Sequence, residues 1–163
     1  MIRQFTSFSF FDYIATIIKI NHNMGVVYIF LADGFEEIEA LATLDMLRRG
    51  GADVKTVSIR EDRTVIGAHD VKVEADWSYG DFNSIAGFDG WDFSDVLVFP
   101  GGMPGASNLN NHEGLRQALL KQNAAGKRVA AICAAPLVLG GLGILRGKRA
   151  TCYPGFEQTL EGA

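Results

Sequence analysis

Cysteine is scarce in this chain: among 163 residues there are only two, Cys133 and Cys152. That is too few for a disulfide framework, and the two lie too far apart in sequence for a compact metal-binding pair. Both thiols are expected to be free, which fits a reducing compartment, the cytoplasm. A basic excess is missing as well: 15 Lys and Arg stand against 19 Asp and Glu, for a net charge of -4. This excludes a general electrostatic attraction to nucleic acid or to an anionic membrane, and leaves small molecules as the expected partners. Proline is limited to 4 residues, and no repeat, low-complexity tract or linker divides the chain. No apolar run reaches the roughly 20 residues a membrane span requires. Between Ile2 and Ile20 the run is broken by Thr6, Ser7, Ser9, Asp12, Thr16 and Lys19, and no small-residue cleavage site precedes Met24. Residues 1–23 therefore read as an N-terminal extension of uncertain role, and residues 24–163 as the functional domain.

What is present is apolar and rich in glycine: 48% hydrophobic residues and 19 glycines, as in a single globular α/β domain. Val26-Val27-Tyr28-Ile29-Phe30-Leu31 is a continuous β-rich run, as a strand covered on both faces requires. From Phe35 the residues Ile38, Leu41, Ala42, Leu44, Met46 and Leu47 recur at helical spacing until Gly50-Gly51. A strand is predicted at Val54–Ile59, and Val65-Ile66 with Val71–Val73 brackets a hairpin. Trp77 to Asp95 shows no clean period and reads as a loop with short helical turns. Val96–Phe99 is a second buried strand, followed by a helix marked by Leu115, Ala118, Leu119 and Ala124 and ending near Gly126. Arg128–Ile132 forms a third apolar strand. Leu137, Val138, Leu139, Leu142 and Leu145 predict a helix beyond it, and Arg149–Cys152 one more strand. Alternating strands and helices predict a flavodoxin-like, doubly wound and mainly parallel sheet with helices on both faces.

In such a sheet ligands bind outside the carboxyl ends of the strands. Cys133, in Ala131-Ile132-Cys133-Ala134-Ala135-Pro136, ends a strand and opens a helix through small neighbours, the elbow arrangement of a nucleophile. A thiol with an ordinary pKa of about 8.5 needs about 2.7 kcal/mol of preferential thiolate stabilisation to fall by two units, and a helix terminus supplies up to roughly 2 kcal/mol. A further hydrogen-bond donor is therefore needed. Gly101-Gly102 offers backbone amides to an anion, although alone it reads more readily as a plain tight turn. Glu36 and Glu37 fall in the first turn of a helix, where negative charge is favoured and solvent exposure expected. Glu39 can turn inward, where burial would raise its pKa and let it donate to a thiolate; it reads equally well as a solvated helix glutamate. Cys152 reads as a small buried residue at a strand end rather than as a resolving thiol. None of His22, His69 and His112 is assigned to catalysis; His112 is expected to cap a helix or face solvent. No metal or cofactor motif is seen.

Ala32-Asp33-Gly34-Phe35-Glu36-Glu37-Ile38-Glu39, Phe99-Pro100-Gly101-Gly102 and Ala130-Ala131-Ile132-Cys133-Ala134-Ala135-Pro136 together resemble the DJ-one/ThiJ/PfpI superfamily, in the branch of the parkinsonism-associated protein. The resemblance spans about Met24 to Gly162. It implies that Cys133 is the reactive cysteine, Glu39 its carboxyl partner, and the amides of Gly102 and Ala134, with Gly101 beside them, an oxyanion pocket. It also implies a homodimer and activities assigned to relatives: glyoxalase-like conversion of methylglyoxal, deglycation, and oxidative-stress sensing or chaperoning. Protease-like members carry a histidine directly after the cysteine; Ala134 stands there, which argues against a Cys-His peptidase. Where some relatives have a histidine before proline, this chain has Tyr153-Pro154, leaving the general base open. Relatives continue past this chain's end with another strand and a closing helix; either the chain is a truncated reading that leaves apolar surface exposed, or the Phe- and Ile-rich leader covers part of the gap.

These readings predict a cysteine-dependent enzyme acting on a small reactive carbonyl, glyoxalase- or deglycase-like. The alternative is a redox-sensing or chaperone-like binding protein that works through Cys133 oxidation. A thiazole-related or amidotransferase-like role is weaker, because the histidine-glutamate pair that glutamine hydrolysis needs is absent downstream of Cys133.

Overall fold

The computed structural model describes residues 25–85, 96–160 and 162–163. The expectation for residues 1–23 lies outside them. Strands β1 (Val27–Leu31), β2 (Val54–Ser58), β5 (Trp77–Ser78), β6 (Val96–Phe99) and β7 (Arg128–Ala131) form one sheet in the order β5-β2-β1-β6-β7. Every neighbouring pair in it is parallel. Strands β3 (Thr64–Ile66) and β4 (Lys72–Glu74) make the expected antiparallel hairpin, with Val65 opposite Val73.

All five residues of β1 are buried, and alternation along the strand assigns them to two faces. Tyr28 and Phe30 enter one core with Leu97, Phe99, Leu109, Leu115, Leu119 and Val138. Val27, Ile29 and Leu31 enter the other with Phe35, Ala40, Leu47, Val65 and Val98. Helix α1 (Glu37–Arg49) and the hairpin cover the second face. The first is covered by α2 (Tyr79–Ile85), α3 (Gly105–Asn111), α4 (Glu113–Ala124) and α5 (Pro136–Gly140). The flavodoxin-like, doubly wound prediction holds.

Three local expectations do not. Within the stretch from Trp77 to Asp95 read as a loop with short helical turns, Trp77 and Ser78 instead add a short edge strand to β2; the helical turn is found at 79–85, with Phe82 packed edge-on against Tyr28 and Phe30, and residues 86–95 lie outside the described residues. Helix α3 was not anticipated. The helix beyond Cys133 stops at Gly140 instead of running to Leu145, because the backbone turns through Gly141 and the positive φ of Gly143. Residues 149–152 are not a strand; no ladder supports them, and the chain there crosses an open cavity. No helix among the described residues is long and apolar enough to cross a membrane.

Candidate active site

Strand order reverses between β1 and β6, the point at which a doubly wound sheet gathers functional loops at the carboxyl ends of its strands. The β1–α1 loop and the loop after β6 meet there almost backbone to backbone. Glu36 N–H donates to the Gly101 carbonyl (2.9 Å), Gly105 N–H to the Gly34 carbonyl (3.1 Å) and Asn108 Nδ2 to the Asp33 carbonyl (2.9 Å). Gly102 has φ +88°, and a Cβ there would lie 2.4 Å from the Glu36 nitrogen. Only glycine fits this contact. On its other side the β1–α1 loop is tied to the hairpin by Gly34 N–H to Ile66 carbonyl and Ala68 N–H to Phe35 carbonyl bonds, each 2.8 Å.

These loops deliver Glu39 and Gly101 to one point. Gly101 N–H donates to Glu39 Oε2 at 2.7 Å. A methyl group at Gly101 would stand 2.7 Å from both Glu39 Oε2 and Cys133 Cβ, and 3.1 Å from the Ala134 nitrogen. The residues singled out in the sequence therefore converge. Cys133 has φ +60°, a conformation that costs roughly 1–2 kcal/mol for a residue with a Cβ and that recurs where a nucleophile is held out of a strand on a sharp turn.

Burial raises the Glu39 carboxyl above its ordinary value; the Gly101 amide and the Cys133 hydrogen bond oppose this, and the nearby Glu36 adds to it. Burial likewise pushes the Cys133 thiol up, a charged Glu39 pushes it further, and the amides of Ala134 and Gly102 pull it back. The expected donors are thus present, but burial works against the thiolate. Helix α5 has only 5 residues, so it aligns few peptide dipoles on the sulfur, and the stabilisation expected from a longer helix falls to individual amides.

Residues 26–163 match the DJ-1/PfpI family. The chain belongs to that family. Protein DJ-1 homolog B of Arabidopsis thaliana is 40% identical over 135 residues, covering 82% of this chain and 29% of that protein. A Pyrococcus abyssi protein named a deglycase is 33% identical over 138 residues, covering 84% of this chain and 77% of that one. The structure of oxidized Toxoplasma gondii DJ-1 superposes with a TM-score of 0.73 at 36% identity, covering 82% of this chain and 70% of the other. The chain spans 29% of the length of the Arabidopsis thaliana DJ-1 homolog B and 33% of that of homolog A.

Within this DJ-1/PfpI domain, two acidic residues depart from their sequence reading. Glu37, expected in solvent, is 7% exposed, because His69 of the hairpin folds over it: its N–H donates to Oε1 (2.6 Å) and its Nδ1 pairs with Oε2 (2.7 Å). Glu36 caps α1, its Oε2 accepting from Glu39 N–H at 2.7 Å, which fixes the backbone of Glu39. Glu36, Glu37 and His69 bring ligand-capable atoms within 4.8 Å of one another, but these internal bonds occupy both Glu37 oxygens and one Glu36 oxygen. His112 does cap a helix: its Nδ1 accepts from Leu115 N–H at 3.0 Å, and burial holds its pKa down.

The sequence reading missed Gly34, Gly105 and Asn108, which lock the two loops. Cys152, read as a small buried residue at a strand end, is instead half-buried on a segment that is not a strand, and lines a cavity of about 560 Å³ together with Cys133, Pro136, Leu139, Leu145 and Tyr153. The spacing Gly101-Gly102 then Gly105 was the available signal for the locked loop.

Proposed function

We propose that this domain is a cysteine-dependent enzyme acting on small reactive carbonyls, glyoxalase- or deglycase-like. The observation that carries the reading is the strained, positive-φ Cys133 beside a half-buried Glu39 carboxyl, which the Gly101 amide holds, with the amides of Gly102 and Ala134 at its sulfur. The deglycase name of a Pyrococcus relative supports it. Burial raises both acids, and the reading gives the pair one negative charge between them. The amides of Gly102 and Ala134 favour that charge on sulfur, with the proton left on Glu39. The thiolate attacks the aldehyde carbon of a 2-oxoaldehyde, and the resulting hemithioacetal alkoxide is held by the same amides. Glu39, once it has given its proton to that oxygen, takes the proton from the former aldehyde carbon and returns it to the neighbouring carbon; water then hydrolyses the thioester to a 2-hydroxy acid and frees Cys133.

Methylglyoxal turnover is expected to vanish in Cys133→Ser. Glu39→Gln keeps an uncharged donor beside the sulfur but carries no transferable proton. Alkylation of Cys133 in that variant should stay within about 3-fold of wild type while turnover drops about 10²–10⁴-fold, the usual worth of a general acid-base group. Faster alkylation in Glu39→Gln would overturn the assignment, because it would mean that Glu39 is charged and repels the thiolate.

A second reading, a redox-responsive protein in which Cys133 is oxidised, draws on the oxidized state of the T. gondii relative. It predicts that peroxide treatment changes binding while carbonyl turnover stays negligible. For either reading the partner is a second copy of the chain, across the apolar outer face of α1 and the hairpin.

A further inference from the structure

The two cysteines stand 19 positions apart in sequence but on one cavity wall. The segment carrying Cys152 has no regular secondary structure and runs beside the turn that carries Cys133. Tyr153 N–H, one peptide beyond Cys152, donates to the carbonyl of Cys133 at 2.7 Å. That bond bounds the separation of the two residues. Each Cα lies about 2.4 Å from its end of the hydrogen bond, so the two Cα atoms are at most about 7.5 Å apart, and the angles at oxygen and nitrogen shorten this into the window of about 4.4–6.8 Å that a disulfide needs. Both thiols are free and partly accessible, and the cavity they share is wide enough to admit a small peroxide.

From this juxtaposition we infer that Cys152 is the resolving thiol of Cys133, and that the pair reduces peroxides by closing an intramolecular disulfide. The inference rests on the reading of Cys133 as the reactive cysteine. In the first step the Cys133 thiolate attacks the distal oxygen of a hydroperoxide. The O–O bond breaks, the alcohol or water leaves with a proton, and Cys133 becomes a sulfenic acid. In the second, the Cys152 sulfur attacks the sulfenic sulfur, water leaves, and the S–S bond forms. The peroxide has gained two electrons and the two thiols have lost them; an external dithiol returns them by exchange through a mixed disulfide. The closed form blocks Cys133, so carbonyl turnover stops until the disulfide is reduced. Closure competes with over-oxidation to sulfinate, and because residues 149–152 belong to no helix or strand the disulfide closes without breaking a ladder.

The test is intact-mass and peptide mapping of the full chain after stoichiometric hydrogen peroxide, without reductant. Wild type should lose two hydrogens, map to a Cys133–Cys152 peptide, and recover on dithiothreitol. Cys152→Ser should instead trap a dimedone-reactive sulfenic acid at Cys133 and accumulate sulfinate several-fold faster, while keeping its methylglyoxal turnover in reducing buffer. Wild type that proceeds to sulfinate as fast as Cys152→Ser, or that forms only disulfides between chains, overturns the inference and leaves Cys133 reactive. A Cys133 that reacts with peroxide and iodoacetamide no faster than free cysteine overturns the underlying reading as well.

Discussion

Glu37 and His69 titrate in opposite directions because of one contact. Burial pushes the Glu37 carboxyl up, but the hydrogen bonds from the His69 ring and amide outweigh it and hold Glu37 below its ordinary 4.5. The same contact, through the bond to Glu37 and then its charge, lifts His69 above its ordinary 6.5. A carboxyl lowered on folding contributes stability above its unfolded value and loses it as pH falls through the folded one. A histidine raised on folding contributes fully below its unfolded value and loses it as pH rises through the folded one. The pair therefore stabilises most between 4.5 and 6.5. The His69 side chain is 73% exposed, so solvent screens it and the effect is modest. His69→Gln should lower Tm by about one or two degrees near pH 5.5 and by nothing measurable near pH 9. A depression that grows with pH in thermal melts would mean that the ring acts by packing rather than by charge.

Among elements, the two loops that carry Glu39 and Gly101 are one unit, and Gly102 is where it can be tested. Alanine there must hold φ +88° and place Cβ 2.4 Å from the Glu36 nitrogen and 2.5 Å from the Gly34 carbonyl oxygen. The left-handed conformation alone costs roughly 1–2 kcal/mol, and the overlap must be relieved by parting the loops. Gly102→Ala should lose at least about 2 kcal/mol in urea unfolding and slow iodoacetamide capture of Cys133, since a Gly102 amide that favours the thiolate shifts with the loop. An unchanged midpoint with unchanged capture would show that the loops separate freely. Strands β1 and β6 were legible because a parallel strand buried on both faces is apolar at every position, and Cys133 because small residues crowd its turn. Helix α3 was not: Gly105-Ala106-Ser107-Asn108-Leu109-Asn110-Asn111 holds two apolar side chains among poor helix formers, and only its seat on the Gly34 loop orders it. Residues 149–152 have strand-like composition but no ladder partner, a fact of tertiary context. Glu37 is buried by a hairpin 32 positions away, which no local pattern announces.

At the scale of the whole molecule, the sheet divides the apolar interior in two, and the outer surface over one half is unusually apolar. Ile38 is 75% exposed, Met46 52%, Ile66 45% and Val71 44%. The first two lie on α1 and the others on or beside the hairpin, which the Glu37–His69 and Ala68–Phe35 bonds hold against the start of α1. The other large exposed apolar side chains among the described residues, Met103, Leu120 and Tyr153, belong to separate elements. An apolar surface shared by two adjoining elements is what a self-complementary two-fold contact requires. Covering one isoleucine contributes about 1.5–3 kcal/mol, and a two-fold contact covers Ile38 from both copies, so Ile38→Lys, before any charge repulsion across the axis, should weaken a dimer about 10²–10⁴-fold. Sedimentation equilibrium at micromolar concentration should then show dimer for wild type and for Leu120→Lys, a control on α4 over the opposite face, and monomer for Ile38→Lys. Because Ile38 is so exposed within one chain, its replacement leaves the monomer core intact, and the circular dichroism of the variant should be that of wild type. Ile38 also sits between Glu37 and Glu39, so a partner covering it would limit water around the first turn of α1. Losing that cover should lower the raised Glu39 pKa and move the pH dependence of Cys133 alkylation, and a monomeric variant whose alkylation profile matches wild type would separate assembly from the chemistry of the site.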